Sequence, residues 1–378
     1  MNGFLKKPGM RAAAVAVLAI SVVLPATGSW ATSSPNLASF KTVVTQAMGP
    51  WTSYAGPTST PTPPKNISLG LVVCAGAVAG CVLPAQGAAE AAKALGWTST
   101  MYDGKGDPIT ENAVVTQAIN AGANAIITVG VDPAQIGSAL ALAKSKNIPV
   151  GSITQGIAPG NGIAYDIGAD YVLSGKIMGS WIITDSGGKA VVLPTSDKEF
   201  ASTYTLVNSA VATLKTCGTC VVNPTQYFVG SDIGAGLGQR IAGTLQRLTK
   251  VNYVIGAFDP AVGVMVPAIN NAGLGKRVKI ISNVGLTQNL GFIASGNVQA
   301  ADVVYDNTYE GYAAVDQMIR VLDGKPIWSN PAVTDPRFTS NEGVPQHLIT
   351  KKNVGDPSKP WTANNQGVQK YLKLWGLN

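Results

Sequence analysis

The chain has 378 residues, enough for two domains of ordinary size. Apolar residues make up 46% and charged residues only 12%, which suits a globular protein with a large core, and the 43 glycines suit many short strand-to-helix turns. The formal charge of +7 comes with no basic cluster interleaved with aromatics, so the usual nucleic-acid footprint is missing.

"MNGFLKKPGMR" carries Lys6, Lys7 and Arg11, an apolar run follows, and "SWA" at Ser29–Ala31 fits a small-x-small cleavage site. Residues 1–31 read as a secretory signal peptide. Its removal takes three positive charges and no acid, leaving +4. The first cysteine is Cys74, far from the cut, which argues against a lipoprotein anchor. Residues 32–65 are an extension: a short helix in "NLASFKTVVTQAM", then "GPTSTPTPPK", a Pro/Thr-rich spacer that can be neither helix nor central strand.

From Ile67 strands and helices alternate. "ISLGLVV", "WTSTMYD", "ANAIITVG" and "IPVGSIT" read as strands, with helices "AQGAAEAAKALG", "DPITENAVVTQAINAG" and "DPAQIGSALALAKSKN" between them. Short turns join them, which describes a parallel sheet wrapped by helices. The pattern resumes after Gly168. Helices are expected at "ADYVLSGKIMGSWIITDSG", "FASTYTLVNSAVATLKT", "GAGLGQRIAGTLQRLT" and "DPAVGVMVPAINNAGLG". Strands are expected at "KAVVLPT", "TCVVNPTQYF", "VNYVIGAF" and "RVKIISNV". The fold class is α/β, with two doubly wound parallel-sheet lobes. A ligand would sit between them, at the carboxyl ends of the strands.

The four cysteines form two close pairs, Cys74/Cys81 and Cys217/Cys220. Export places them in an oxidising compartment. Three connectivities are possible and local pairing is the simplest. A redox Cys-x-x-Cys at "CGTC" is the rival, but here the motif ends a helix and enters a strand, whereas redox sites of that type open a helix. A zinc site is disfavoured because His347 is the single histidine. "GAGLGQR" is spaced G-x-G-x-G and reads as a glycine-rich helix start, not a dinucleotide fingerprint. A Ser-His-Asp triad would need His347, which falls on an expected hinge strand. Asp259 opens a helix and reads as a cap.

Three stretches carry a family likeness: "DGKGDPITENAVVTQAINAGANAIITVGVDPAQIGSALALAKSKNIPV", "VIGAFDPAVGVMVPAINNAGLGKRVKII" and "GNVQAADVVYDNTYEGYAAVDQMIRVLDGKP". Residues 67 to about 351 resemble the periplasmic sugar-binding proteins of the ribose type, which feed ABC importers. The resemblance implies the type I periplasmic binding protein fold, with a three-segment hinge crossing near Gly168, Val304–Tyr305 and Gln346–Thr350. The first lobe would hold residues 66–167 plus 305–345, and the second 168–304 plus 346–378. Gene repressors share this fold but carry a DNA-binding headpiece where this chain has its signal peptide.

The resemblance also implies a monomeric periplasmic or secreted receptor for a small-molecule solute. Its partners would be an ABC permease and its ATPase, and it would meet the membrane only through the permease. No cofactor, metal or nucleic acid is implied. The alternatives are a secreted hydrolase or redox enzyme, or a receptor serving a sensor or chemotaxis partner.

Carried over position by position, the family's sugar-reading side chains are mostly replaced. Stacking rings of the first loop fall on Gly80 and Cys81. An acid and an arginine fall on Thr154 and Gln155. A second-lobe arginine falls on Thr203, beside Tyr204. Asparagines fall on Val129 and on Phe258, and the second acid falls on Val284, after Asn283. A glutamine falls on Val304 or Tyr305. With Ser231 added, these positions are the candidate ligand site. A buried hydroxyl without a partner costs about 1–3 kcal/mol. About four of them would cost roughly 4–12 kcal/mol, against about 8 kcal/mol for micromolar binding. A solute less polar than a simple sugar is therefore expected.

Overall fold

The computed structural model describes residues 37–377 apart from Thr334, Pro336 and Asn365. The expected signal peptide, residues 1–31, lies outside the described residues. Helix α1 (Ala38–Ala47) comes first, as expected for the start of the extension. The first alternation follows as β1 (Ser68–Val73), α2 (Ala79–Ala94), β2 (Thr98–Asp103), α3 (Pro108–Asn120), β3 (Ala125–Val129), α4 (Gly137–Ser145), β4 (Val150–Ile153) and β5 (Asp166–Ile167). The second runs α5 (Tyr171–Asp185), β6 (Val191–Asp197), α6 (Ala201–Lys215), β7 (Val221–Val222), β8 (Gln226–Phe228), α7 (Gly230–Gly234), α8 (Leu237–Arg247), β9 (Tyr253–Ile255), α9 (Asp259–Asn271), β10 (Lys279–Val284), α10 (Thr287–Ser295) and β11 (Gln299–Tyr305). Last come α11 (Asn307–Leu322), β12 (Gln346–Thr350) and α12 (Gly367–Leu374).

Two sheets result. The first is fully parallel, in the order β2-β1-β3-β4-β5. The second runs β12-β11-β10-β9-β6-β7, with β8 also on β6, and only β12 is antiparallel. Burial explains why the central strands read as continuous apolar runs. Every residue of β3 is buried, because helices cover both faces of a parallel sheet, while the edge strand β2 is largely exposed.

Three expected elements differ in detail. The strand "TCVVNPTQYF" is broken into β7 and β8 around Pro224, which has no N–H to give to a ladder. "GAGLGQRIAGTLQRLT" is split into α7 and α8 by Gly236, whose φ of 106° is left-handed. Helix α2 starts at Ala79, so Cys81 and Pro84 belong to its first turns and not to a loop.

The chain passes between the lobes after β5, at Asp306 between β11 and α11, and at residues 343–345. The third passage was expected at Gln346–Thr350. That strand lies wholly in the second sheet, paired to β11, while Glu342 just before it accepts a hydrogen bond from the Tyr309 hydroxyl of α11. The two ends of the described chain add further passages. Helix α1 packs on α5 and β12 of the second lobe, after which Tyr54 packs against Tyr309 and Tyr371, and Ser59 and Pro64 accept bonds from Arg320 and Trp97 of the first. At the other end, α12 was expected with the second lobe. It packs instead on α11 of the first, where Trp375 Nε1 donates to Asp316 at 2.9 Å and the Tyr371 hydroxyl donates to Glu342 at 2.6 Å.

Helix α11 seats on α2 through glycine. A Cβ on Gly311 would lie 2.2 Å from the Ala88 nitrogen and 2.4 Å from the Gly87 carbonyl carbon. Gly311→Ala gains up to about 1 kcal/mol of helix propensity but forces these helices apart, at a cost of about 1–3 kcal/mol or more. A lower urea midpoint is therefore expected, and a raised midpoint would show that the helices do not meet this closely.

Candidate functional site

Five aspartates hold loops at the carboxyl ends of strands by accepting backbone N–H bonds. Asp103 Oδ1 takes the N–H groups of Gly76 and Lys105 at 2.7 and 2.8 Å, which fixes the turn after β1. Asp132 takes Ala134 after β3, and Asp197 takes Glu199 after β6. Asp166, fully buried, takes Gly156 at 2.7 Å and Ile157 at 3.2 Å, and so shapes the turn after β4. Asp259 takes Gly285 at 2.9 Å and Leu286 at 2.7 Å, closing the turn after β10. Asp259 was expected as a helix cap; its carboxylate instead ties a neighbouring strand end.

Two of these turns place β-branched residues at positive φ. Thr154 sits at φ 65° and Val284 at φ 118°, in regions such residues avoid. Both border a cavity of about 380 Å³ between the two lobes. The lobes also touch at its rim, where the Ser202 N–H donates to the Gln155 carbonyl at 3.1 Å.

The first lobe brings Gly80, Cys81 and Thr154 to this cavity. The second brings Thr203, Ser231, Phe258, Asn283, Val284 and Tyr305. Three candidates stand elsewhere. Val129 is fully buried in the sheet, and its neighbour Gly130 lines the cavity instead. Gln155 and Tyr204 border an adjoining groove on the outer side of the rim, where Tyr204 stacks on Tyr227 at 5.6 Å. Both miss the cavity for the same reason, a one-residue offset in where the strand or helix turns its side chains. His347 is stacked on Trp361 and is not among the residues that line the cavity.

Further residues line the cavity beyond those expected. The polar ones are Lys105, Glu111 and Asp132 from the first lobe and Glu199 and Ser202 from the second, and Phe200 adds a ring. Glu111 is 6% exposed, a signal no pattern reveals, since helix α3 reads as an ordinary amphipathic helix. Burial pushes its carboxyl up to about 7, and the negative charges of Glu199, Asp107 and Asp132 act in the same direction. Burial likewise raises Asp197 to about 7, and Asp166 and Asp259 to about 6. Rings line the opposite wall: Phe200 meets Phe258 edge-on at 6.0 Å, and Tyr171 meets Tyr305 edge-on at 6.4 Å.

Both cysteine pairs are bonded locally, Cys74 to Cys81 and Cys217 to Cys220. The first staples the start of α2 to the end of β1 and presents its sulfurs beside Gly130.

Residues 71–326 match the family model described as a periplasmic binding protein domain. The chain belongs to this family. Among curated relatives, the ribose import binding protein of Haemophilus influenzae is 31% identical over 108 residues, 29% of this chain and 37% of that protein's length. Among solved structures, an ABC transporter solute-binding protein of Agrobacterium vitis, bound to alpha-D-tagatopyranose, aligns with a TM-score of 0.67 at 20% identity, over 78% of this chain and 97% of that one. The 5-methylthioribose transporter solute-binding protein of Thermotoga lettingae aligns with a TM-score of 0.65 at 20% identity, over 84% and 95%. At these identities the likeness establishes the fold, the two-lobed type I periplasmic binding protein architecture. The family is one of binding proteins that act outside the cytoplasm.

Two outcomes follow from the site. Cys74→Ser with Cys81→Ser should lower the stability of the oxidised protein by about 2–3 kcal/mol, the worth of closing so short a loop, read from denaturant midpoints. The raised acids also set a pH trend. Glu111, Asp197, Asp166 and Asp259 bind protons more tightly folded than unfolded. Their contribution to stability is full below about pH 4 and is lost as pH rises through 6 to 7. Calorimetry should give a higher Tm at pH 5 than at pH 8. A Tm that instead rises toward pH 8 would mean that these carboxyls are not buried.

Proposed function

We propose that this chain is the extracytoplasmic solute-binding component of a sugar-type ABC importer. It works as a monomer, closes two lobes over a small solute and hands the solute to a permease driven by its ATPase. The observation that carries this reading is the cavity itself, bounded by strand ends and helix starts of both lobes and held by aspartate-tied turns. Family membership supports it, and the named relatives bind sugars or a sugar thioether. The reading assigns the chain no reaction: the histidine a triad would need stacks on Trp361 and does not line the cavity.

The solute is less polar than a free pentose or hexose. Phe200, Phe258, Tyr171 and Tyr305 give flat apolar walls, and a few polar groups, Asn283 among them, orient the solute against these walls. A thermal-shift screen of metabolites should yield a binder that contracts the protein in small-angle scattering. Phe258→Ala should then weaken that binder by about 1–3 kcal/mol through lost burial, with little change in fold stability. Calorimetry with ribose, xylose and glucose is expected to show binding weaker than micromolar. Submicromolar binding of any of them would overturn the low-polarity reading.

A further inference from the structure

Glu111 lines the cavity and is more than nine-tenths buried, and its carboxylate accepts no hydrogen bond among the described residues. A buried carboxylate in that state is costly unless something supplies a donor or a positive charge. The protein does not. The charged groups that face Glu111 are Glu199 from the loop after β6, Asp107 from the start of its own helix and Asp132 from the loop after β3, all acids. Lys105 also lines the cavity, but no ion pair joins it to Glu111 among the described residues. Glu199 is held in place by the Gly230 N–H at 2.6 Å, so it stays facing the cleft.

A second orphan stands across the cavity. Asn283 is 4% exposed, and its Oδ1 has no partner. An amide oxygen and a carboxylate, both acceptors and both desolvated, call for a ligand that brings donors. Phe200, next to Glu199 in sequence, offers a ring to the same space, and a ring face attracts a cation.

We infer that the cleft takes a small solute bearing one protonated amine, which enters between Glu111 and Glu199 while the rest of the solute lies against the aromatic wall and donates to Asn283. The inference rests on the solute-binding reading above and names the ligand class. It also accounts for the acids: Glu111, Glu199 and Asp132 repel one another across the closing cleft, and an ammonium group between the lobes turns that repulsion into a clamp. Closure on a neutral solute would leave Glu111 to take up a proton. Closure on an amine would keep it ionised.

The test uses matched pairs of low polarity that differ in the amine: tyramine against 4-ethylphenol, phenethylamine against ethylbenzene, and cyclohexylmethylamine against methylcyclohexane. Thermal shift and calorimetry on the full chain are run at pH 8 and pH 5.5. At least one amine is expected to bind about tenfold or more tighter than its neutral partner at pH 8, the scale of a charge-assisted hydrogen bond. That preference should shrink at pH 5.5, where Glu111 holds its proton, and collapse toward unity in Glu111→Gln. Neutral members binding as well as the amines, or better, would overturn the inference and leave the solute-binding reading intact. An amine preference untouched by Glu111→Gln would overturn the assignment to Glu111. No binding by any member, in protein that unfolds cooperatively, would overturn the inference and count against solute binding as well.

Discussion

The site depends on one repeated interaction, a carboxylate that accepts the backbone N–H groups of a turn at the end of a parallel strand. Strand ends leave N–H groups without ladder partners, and a turn that must face a cavity cannot give them to bulk water. Asp103, Asp132, Asp166, Asp197 and Asp259 solve this loop by loop. The turns they hold carry the cavity wall. Thr154 follows from the Asp166 turn, Glu199 and Phe200 from Asp197, and Val284 from Asp259. Positive φ at Thr154 and Val284 costs about 1–3 kcal/mol each and persists because these bonds over-determine the turn.

The same device creates an electrostatic problem. An aspartate that ties a turn on a closed cleft is buried, and burial favours its neutral form. Asp103, near the surface, is held below the usual carboxylate range by its two N–H bonds, whereas Asp166 and Asp259 make comparable bonds and are still pushed up. Desolvation outweighs hydrogen bonding in the interior, and the reverse holds at the rim. Glu111 lies at the far end of this series, with burial and like charge but no bond at all. It is therefore where a ligand has most to offer.

Most of the fold is legible in the sequence because parallel strands buried on both faces are runs of Val, Ile and Leu, and the helices between them keep their period. Pro224 and Gly236 break elements whose apolar pattern runs on through them, so the pattern alone does not show the breaks. The terminal segments were harder. Nothing local in "YLKLWG" says that Trp375 will reach Asp316, since that bond joins residues 59 apart and depends on α11 already being seated. For the site, positions counted from strand ends were readable: Asn283, Val284, Phe258 and Tyr305 all reach the cavity. Residues on helix faces were not. Glu111 looks like one more solvated acid on α3, but its side chain packs against the Gly104 turn beside the cavity.

The terminal passages change what a hinge of this kind can do. With three crossings alone, the lobes would bend about short segments at one edge of the cleft. Here α1 rests on α5 and β12 of one lobe while Tyr54, Ser59 and Pro64 are anchored on the other, and the last helix returns from β12 to α11. The anchors are substantial: a cluster of Tyr54, Tyr309, Tyr371 and Trp375 rings around the buried Asp316–Arg320 pair. Opening must therefore stretch two more segments than a three-crossing hinge does. The segments that carry that load run from the end of α1 to Tyr54 and from the end of β12 to α12, while the Pro/Thr-rich spacer is anchored along its length on the first lobe. A binding protein whose open state is restrained in this way gives up less conformational entropy on closing. A cleft whose walls repel one another through Glu111, Glu199 and Asp132 needs that restraint, so that opening stays bounded until a solute of the right charge arrives.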